Sequence, residues 1–336
     1  MFHASLAVQL PATLPGPTTA VKGLLAVLFP VPAADDAKDA ELRETLAGHL
    51  SVFELLLRSF ESAGFDDVVA IVVDGNAVYV DTEERIGDID EALQGLVKSR
   101  ALDDGFAVMR TTFRRIQDGL EVLGELRWHV RTKERPDETR VRISARPHGH
   151  EPLEAEGARE YAARVRQLVH DATRIESQRV ATESICAEVG ARIKANIADS
   201  SIETSPAAVR LIAPGLRQLG RMRHLRFGTG VRRTVSCALP SYERVGPYDD
   251  PLSGHYYSPY SDLFHWIAVG EALAGQLSSQ HVDVVSATGR HLFRGSEAIR
   301  FDPSDFAVSR DVVRVSPEGR LKLDASVPEV AEIGPA

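Results

Sequence analysis

The chain has 336 residues, 43% of them apolar and 26% charged, which suits folded cores rather than a disordered polymer. A formal net charge of −9 sets it against nucleic acid and anionic membrane except through a local basic face. Two cysteines, Cys186 and Cys237, far apart and in no CxxC pair, argue against a disulfide framework, leave one bond between them open, and fit a reducing, cytoplasmic compartment.

Residues 4–10 and 21–29 are apolar segments joined by a Pro/Gly/Thr turn. The second runs on to Val31 and falls short of the roughly 18–20 residues of a transmembrane helix. It reads as a buried strand or short helix. Secretion is the alternative, because Lys22 precedes it and Pro32-Ala33-Ala34 resembles a cleavage site.

Residues 40–63 place Leu42, Leu46, Leu50, Phe53, Leu57 and Phe60 on one helical stripe, with Gly64 where a left-handed cap is wanted. Residues 68–73 and 77–81 form a hairpin around Asp74-Gly75-Asn76. A second helix opens at Asp88, with Glu91 completing a capping box, and runs to Lys98. Strands follow at 106–116 and 120–132, joined by Gln117-Asp118-Gly119, and at 141–145. In the second of these, Val122, Leu126, Trp128 and Val130 alternate with Glu121, Glu125, Arg127, His129 and Arg131, which predicts one buried and one solvated face.

The predicted fold class is α+β, in three parts. Residues 1–150 form an N-terminal domain, an antiparallel sheet with flanking helices, whose element order is similar to small partner-binding folds such as secretion chaperones. Residues 151–204 form a long helical region, one helix or two in tandem over 156–198, with a weak point at 179–182 and a polar linker at 200–205. Residues 205–330 form an irregular α+β lobe. Its expected elements are strands at 225–227, 231–239 and 282–286, a helix at 262–277 and a hairpin of 312–316 with 320–324.

No phosphate loop, dinucleotide fingerprint, nucleophile elbow or zincin motif is found, and no cofactor is expected. His148 and His150 stand at alternate positions just after a strand, a spacing that grips a metal, with Glu151 and Glu154 as further oxygen donors. Residues 204–242 carry no Asp or Glu but seven arginines, among them Arg210, Arg221, Arg223 and Arg226. Five of the seven tyrosines fall within 242–266, including Tyr256, Tyr257 and Tyr260, and Trp266 closes the segment. Tyr, Trp and Arg dominate the energetic centres of protein interfaces.

The sequence therefore predicts a non-enzymatic protein-binding or assembly protein that meets a partner, an acidic one for preference, through Tyr256, Tyr257, Tyr260, Trp266, Arg221, Arg223 and Arg226. The first alternative is a metal-dependent hydrolase with its site at His148/His150 or in 242–266. The second is nucleic-acid binding through 210–233. No membrane partner is expected, and the oligomeric state is not legible.

Overall fold

The leucine and phenylalanine stripe of residues 40–63 forms helix α1, Ala37–Ser62. Phe53, Leu56, Leu57 and Phe60 are shut off from solvent. Gly64 follows at φ +79°, and the Phe65 N–H returns to the Phe60 carbonyl at 3.0 Å, closing the helix with a left-handed cap. The computed structural model describes residues 1–10, 37–81, 89–99, 101, 106–129, 138–148, 150–213, 236–237, 256–257, 259–273, 282–286, 291–294, 297–298, 313–315 and 321–323. The segment 21–29, the capping residue Asp88 and strand 225–227 lie outside them.

Among the described residues, ten strands make one mixed sheet. They are β1 (Phe2–Gln9), β2 (Asp67–Val73), β3 (Asn76–Val80), β4 (Val108–Gln117), β5 (Leu120–His129), β6 (Glu138–Pro147), β7 (Ser201–Ala213), β10 (Val282–Ser286), β11 (His291–Arg294) and β12 (Glu297–Ala298). The order is β12-β11-β10-β7-β1-β6-β5-β4-β2-β3, antiparallel throughout except for the parallel pair β7 and β10. Two short ladders stand apart from it: β8 (Ser236–Cys237) with β9 (Tyr256–Tyr257), and β13 (Val313–Val315) with β14 (Leu321–Leu323). The hairpins turn on two residues each. Asp74 and Gly75 have φ of 47° and 84°, and Asp118 and Gly119 have 51° and 74°, the left-handed pairs that match the strand twist.

Helices α1, α2 (Ile89–Lys98) and α4 (Ala172–Asn196) cover one face of this sheet. That face is built from Phe2, Leu6, Val68, Ile71, Phe113, Val122, Leu126, Trp128, Val141 and Ile143, all in the core. Phe60 stacks on Phe113 with centroids 4.2 Å apart, and Phe53 lies over Trp128. The stack needs room that only glycine gives. A Cβ at Gly124 would come within 2.6 Å of Phe60 Cε1 and 3.3 Å of Phe65 Cε1. Phe60 is stacked on Phe113 and packed edge-on against Phe65, which restricts its retreat. Gly124→Ala is expected to cost about 1–3 kcal/mol of unfolding free energy by urea titration; an unchanged midpoint would show the ring free to move.

Four features differ from the sequence reading. The sheet crosses the expected boundaries at 150 and 204, since β7 pairs with β1 along its length. The polar stretch 200–205 is the opening half of β7 rather than a linker. Its residues are mostly exposed, and backbone pairing to β1 holds it where side-chain burial does not. The helical region is two helices, α3 (Ala158–His170) and α4, broken at Asp171 and not at 179–182. Asp171 leaves helical geometry and its carboxylate accepts from the Arg174 N–H at 2.9 Å, the N-cap arrangement. Finally, the β5 face expected to be wet is largely covered: Glu121 and Glu125 are each 5% exposed.

Helix α5 (Pro259–Leu273) lies beside α3 and β7, near the end of the sheet where β1 begins and β6 ends. Phe264, Ile267 and Ala268 are in the core. No helix among the described residues is long and apolar enough to cross a membrane.

Candidate functional site

The sequence-predicted residues disperse. Tyr256 and Tyr257 form β9, paired in register with Cys237 and Ser236. Tyr260 and Trp266 sit on α5, half-buried and packed in part against the core, with the Tyr260 ring 6.5 Å from that of Tyr161. Arg221, Arg223 and Arg226 lie outside the described residues. Arg210, on β7, faces Asp283 at 3.8 Å. His148 is exposed and His150 is 4% exposed, so the two rings do not share one environment. Among the described residues no three His, Cys, Asp or Glu side chains are grouped to hold a metal. Cys186 is a free, buried thiol on α4, pushed up to about 12 by burial and then by the Glu183 charge.

Two clusters emerge instead, both on the sheet face opposite α1. The first is a buried network at the α5 end. Arg146 Nε donates to Glu121 Oε2 at 2.7 Å, and its Nη1 donates to Ser261 Oγ at 3.1 Å. Arg114 reaches the other oxygen of Glu121 at 3.3 Å. With its oxygen accepting from Arg146, Ser261 has its hydroxyl hydrogen for His150 Nε2, 2.8 Å away. Tyr161 on α3 ties the same corner, its hydroxyl 2.8 Å from the His150 carbonyl and 3.2 Å from that of Tyr260. His3 on β1 pairs with Ser144 Oγ at 3.1 Å, and His265 on α5 accepts from the Ile212 N–H at 3.3 Å.

Burial holds His3, His150 and His265 well below the ordinary imidazole range. For His150 the charge of Arg146 adds to this. For His265 the added charges are the Met1 amine and Arg146, and for His3 they are Arg210, the Met1 amine and Arg142. All three rings are therefore neutral at pH 7. The Ser261–His150 distance is that of a nucleophile and its base. Ser261, however, has no exposed surface and its oxygen accepts from a guanidinium, so the contact is a structural link between α5 and the end of β6.

No protein-family model, curated protein or solved structure matches this chain.

The second cluster lies toward the other end of the same face. Strand register places Arg110 of β4 opposite Arg127 of β5, and Arg127 opposite Arg140 of β6. One step along, Thr112 stands opposite Glu125, and Glu125 opposite Arg142. Like charges directly opposite one another destabilise a sheet, with neighbours about 5 Å apart across it. Arg140 is exposed, and Arg110, Arg127 and Arg142 are half-buried. Burial, with the charges of Arg110, Arg142 and Arg140, lowers the pKa of Arg127, and Glu125 opposes this. Toward the α5 end the arginines are matched: Arg114 and Arg146 share Glu121, and Arg210 has Asp283. Around Glu125 lie Arg110, Arg127, Arg140 and Arg142.

Sequence reasoning singled out none of this quartet as a site. A signal was present in residues 139–146, where Arg140, Arg142 and Arg146 alternate with Val141, Ile143 and Ala145. That Arg110 and Arg127 join the same row depends on register across three strands, which the local pattern does not carry.

Proposed function

We propose that this chain is a non-enzymatic binding protein that engages an acidic segment of a protein partner on the quartet Arg110, Arg127, Arg140 and Arg142. The single observation behind the reading is the Arg110–Arg127–Arg140 row. The charges of Arg110, Arg142 and Arg140 lower the Arg127 pKa, and an anionic partner would relieve that repulsion. Arginine also forms bidentate pairs with carboxylates, which fixes a partner's orientation as well as its charge. A net charge of −9 disfavours a long polyanion over a short acidic segment, so nucleic acid is the weaker reading. The aromatic residues Tyr256, Tyr257, Tyr260 and Trp266, with Arg221, Arg223 and Arg226, stand as a separate proposed contact surface. They have less behind them, because Tyr260 and Trp266 are partly taken up by their own core.

Binding of a fluorescein-labelled oligoglutamate peptide tests this by anisotropy in low salt. Wild type is expected to bind saturably and Arg140→Glu to weaken binding at least tenfold, with the unfolding midpoint nearly unchanged because Arg140 is exposed. Equal binding by both proteins would remove the quartet from the account, and tighter binding of single-stranded DNA than of the peptide would favour the nucleic-acid reading.

A further inference from the structure

Within the quartet the unmet hydrogen-bonding groups describe a ligand. Arg127 Nε and Arg142 Nη1 are sealed from solvent with no acceptor among the described residues, and Glu125 Oε2 is sealed with no donor. Buried polar atoms are nearly always paired, and a set that is not calls for an explanation, an ion or water being one. Glu125 stands opposite Arg142 on β6 and two residues from Arg127 on β5, with Arg140 completing the rectangle. The site thus wants a group that accepts from two guanidinium donors and donates one hydrogen to a carboxylate.

A carboxylate ligand supplies the acceptors but no donor at pH 7. A sulfate has the same defect. A protonated phosphate has oxygens for both arginines and a P–OH hydrogen for Glu125. We propose that Arg127, Arg142 and Glu125 form a binding site for a phosphoryl oxyanion that retains a proton. Inorganic hydrogen phosphate is the simplest such ligand, and a phosphorylated side chain of the partner, in its monoanionic form, is the other source of the same chemistry. Arg110 and Arg140 add positive potential around these three groups. The inference rests on the reading above only in sharing its surface, because phosphate binding needs no acidic peptide.

Calorimetric titration of the whole chain with inorganic phosphate, sulfate and a phosphoserine peptide tests it at pH 7. Wild type is expected to take up one phosphate and to prefer it to sulfate at least tenfold. Arg142→Gln is expected to lose phosphate binding at least tenfold, with Arg127→Gln as the second probe should that variant fail to fold. Glu125→Gln is expected to abolish the preference, because an amide donates to sulfate as readily as to phosphate. Competition between the phosphoserine peptide and phosphate would identify a modified partner as the source, and phosphate binding alone would identify the free ion; either result supports the site. No saturable phosphate binding in wild type, or equal affinity for sulfate and phosphate, would overturn the proposal. Retained phosphate binding in a protein that ignores oligoglutamate would leave this site standing and remove the acidic-partner reading.

Discussion

Acidification from pH 7.5 to 5.5 is expected to destabilise the fold steeply, by as much as about 4 kcal/mol per pH unit once the pH is below 6.5. The cause is the set His3, His150 and His265, whose folded pKa values are all lowered, by burial first and by neighbouring positive charge second. The unfolded chain protonates these rings near pH 6.5 and the folded chain does not, so below that pH the unfolded state binds more protons. Their contribution is whole above pH 6.5 and is lost as pH falls toward the depressed folded values. Each ring adds up to about 1.4 kcal/mol per pH unit. Urea midpoints across this window measure the slope, and His150→Gln, which keeps a polar partner for Ser261, should reduce it by about a third. A flat profile would show that the rings titrate normally and that α5 does not seal them.

The second large effect concerns Glu121. Its side chain is 7% exposed and lies between Arg146, itself 5% exposed, and Arg114. Removing one member of a buried ion pair strands the other, which costs about 3–5 kcal/mol. Glu121→Ala is therefore expected to lose that much by urea unfolding. Glu121→Leu with Arg146→Met should recover most of it, since a well-packed apolar pair replaces both charges. A loss below about 1 kcal/mol for the single variant would mean that water reaches the guanidinium and that this end of the face is open.

These effects lie where the sequence was least legible. Helix α1 was readable because six apolar residues repeat at helical spacing, and the hairpins because Asp74-Gly75 and Asp118-Gly119 admit left-handed backbone. The helix 262–277 and the hairpin near residues 313–323 were readable for the same local reasons. Strand β7 was not, because its first half carries almost no apolar pattern and is defined by its partner β1. The solvated face assigned to β5 failed because alternation reports which residues are polar, not how deeply they are buried in the folded chain. Ser261 and His150 are 111 residues apart, and no local spacing announces their contact. The arginine row is similar: Arg110, Arg127 and Arg140 become neighbours only through the pairing of β4, β5 and β6.

The central claim is that an anionic partner sits on that row. Arginine-selective labelling with phenylglyoxal, read by mass spectrometry with and without oligoglutamate, tests it most directly. The peptide is expected to protect Arg140, exposed at the edge of the quartet, and to leave Arg192 on α4 labelled at its free rate, its side chain being 51% exposed and on the other side of the sheet. Unaltered labelling of Arg140 in the bound state, or equal protection of Arg192, would contradict the account.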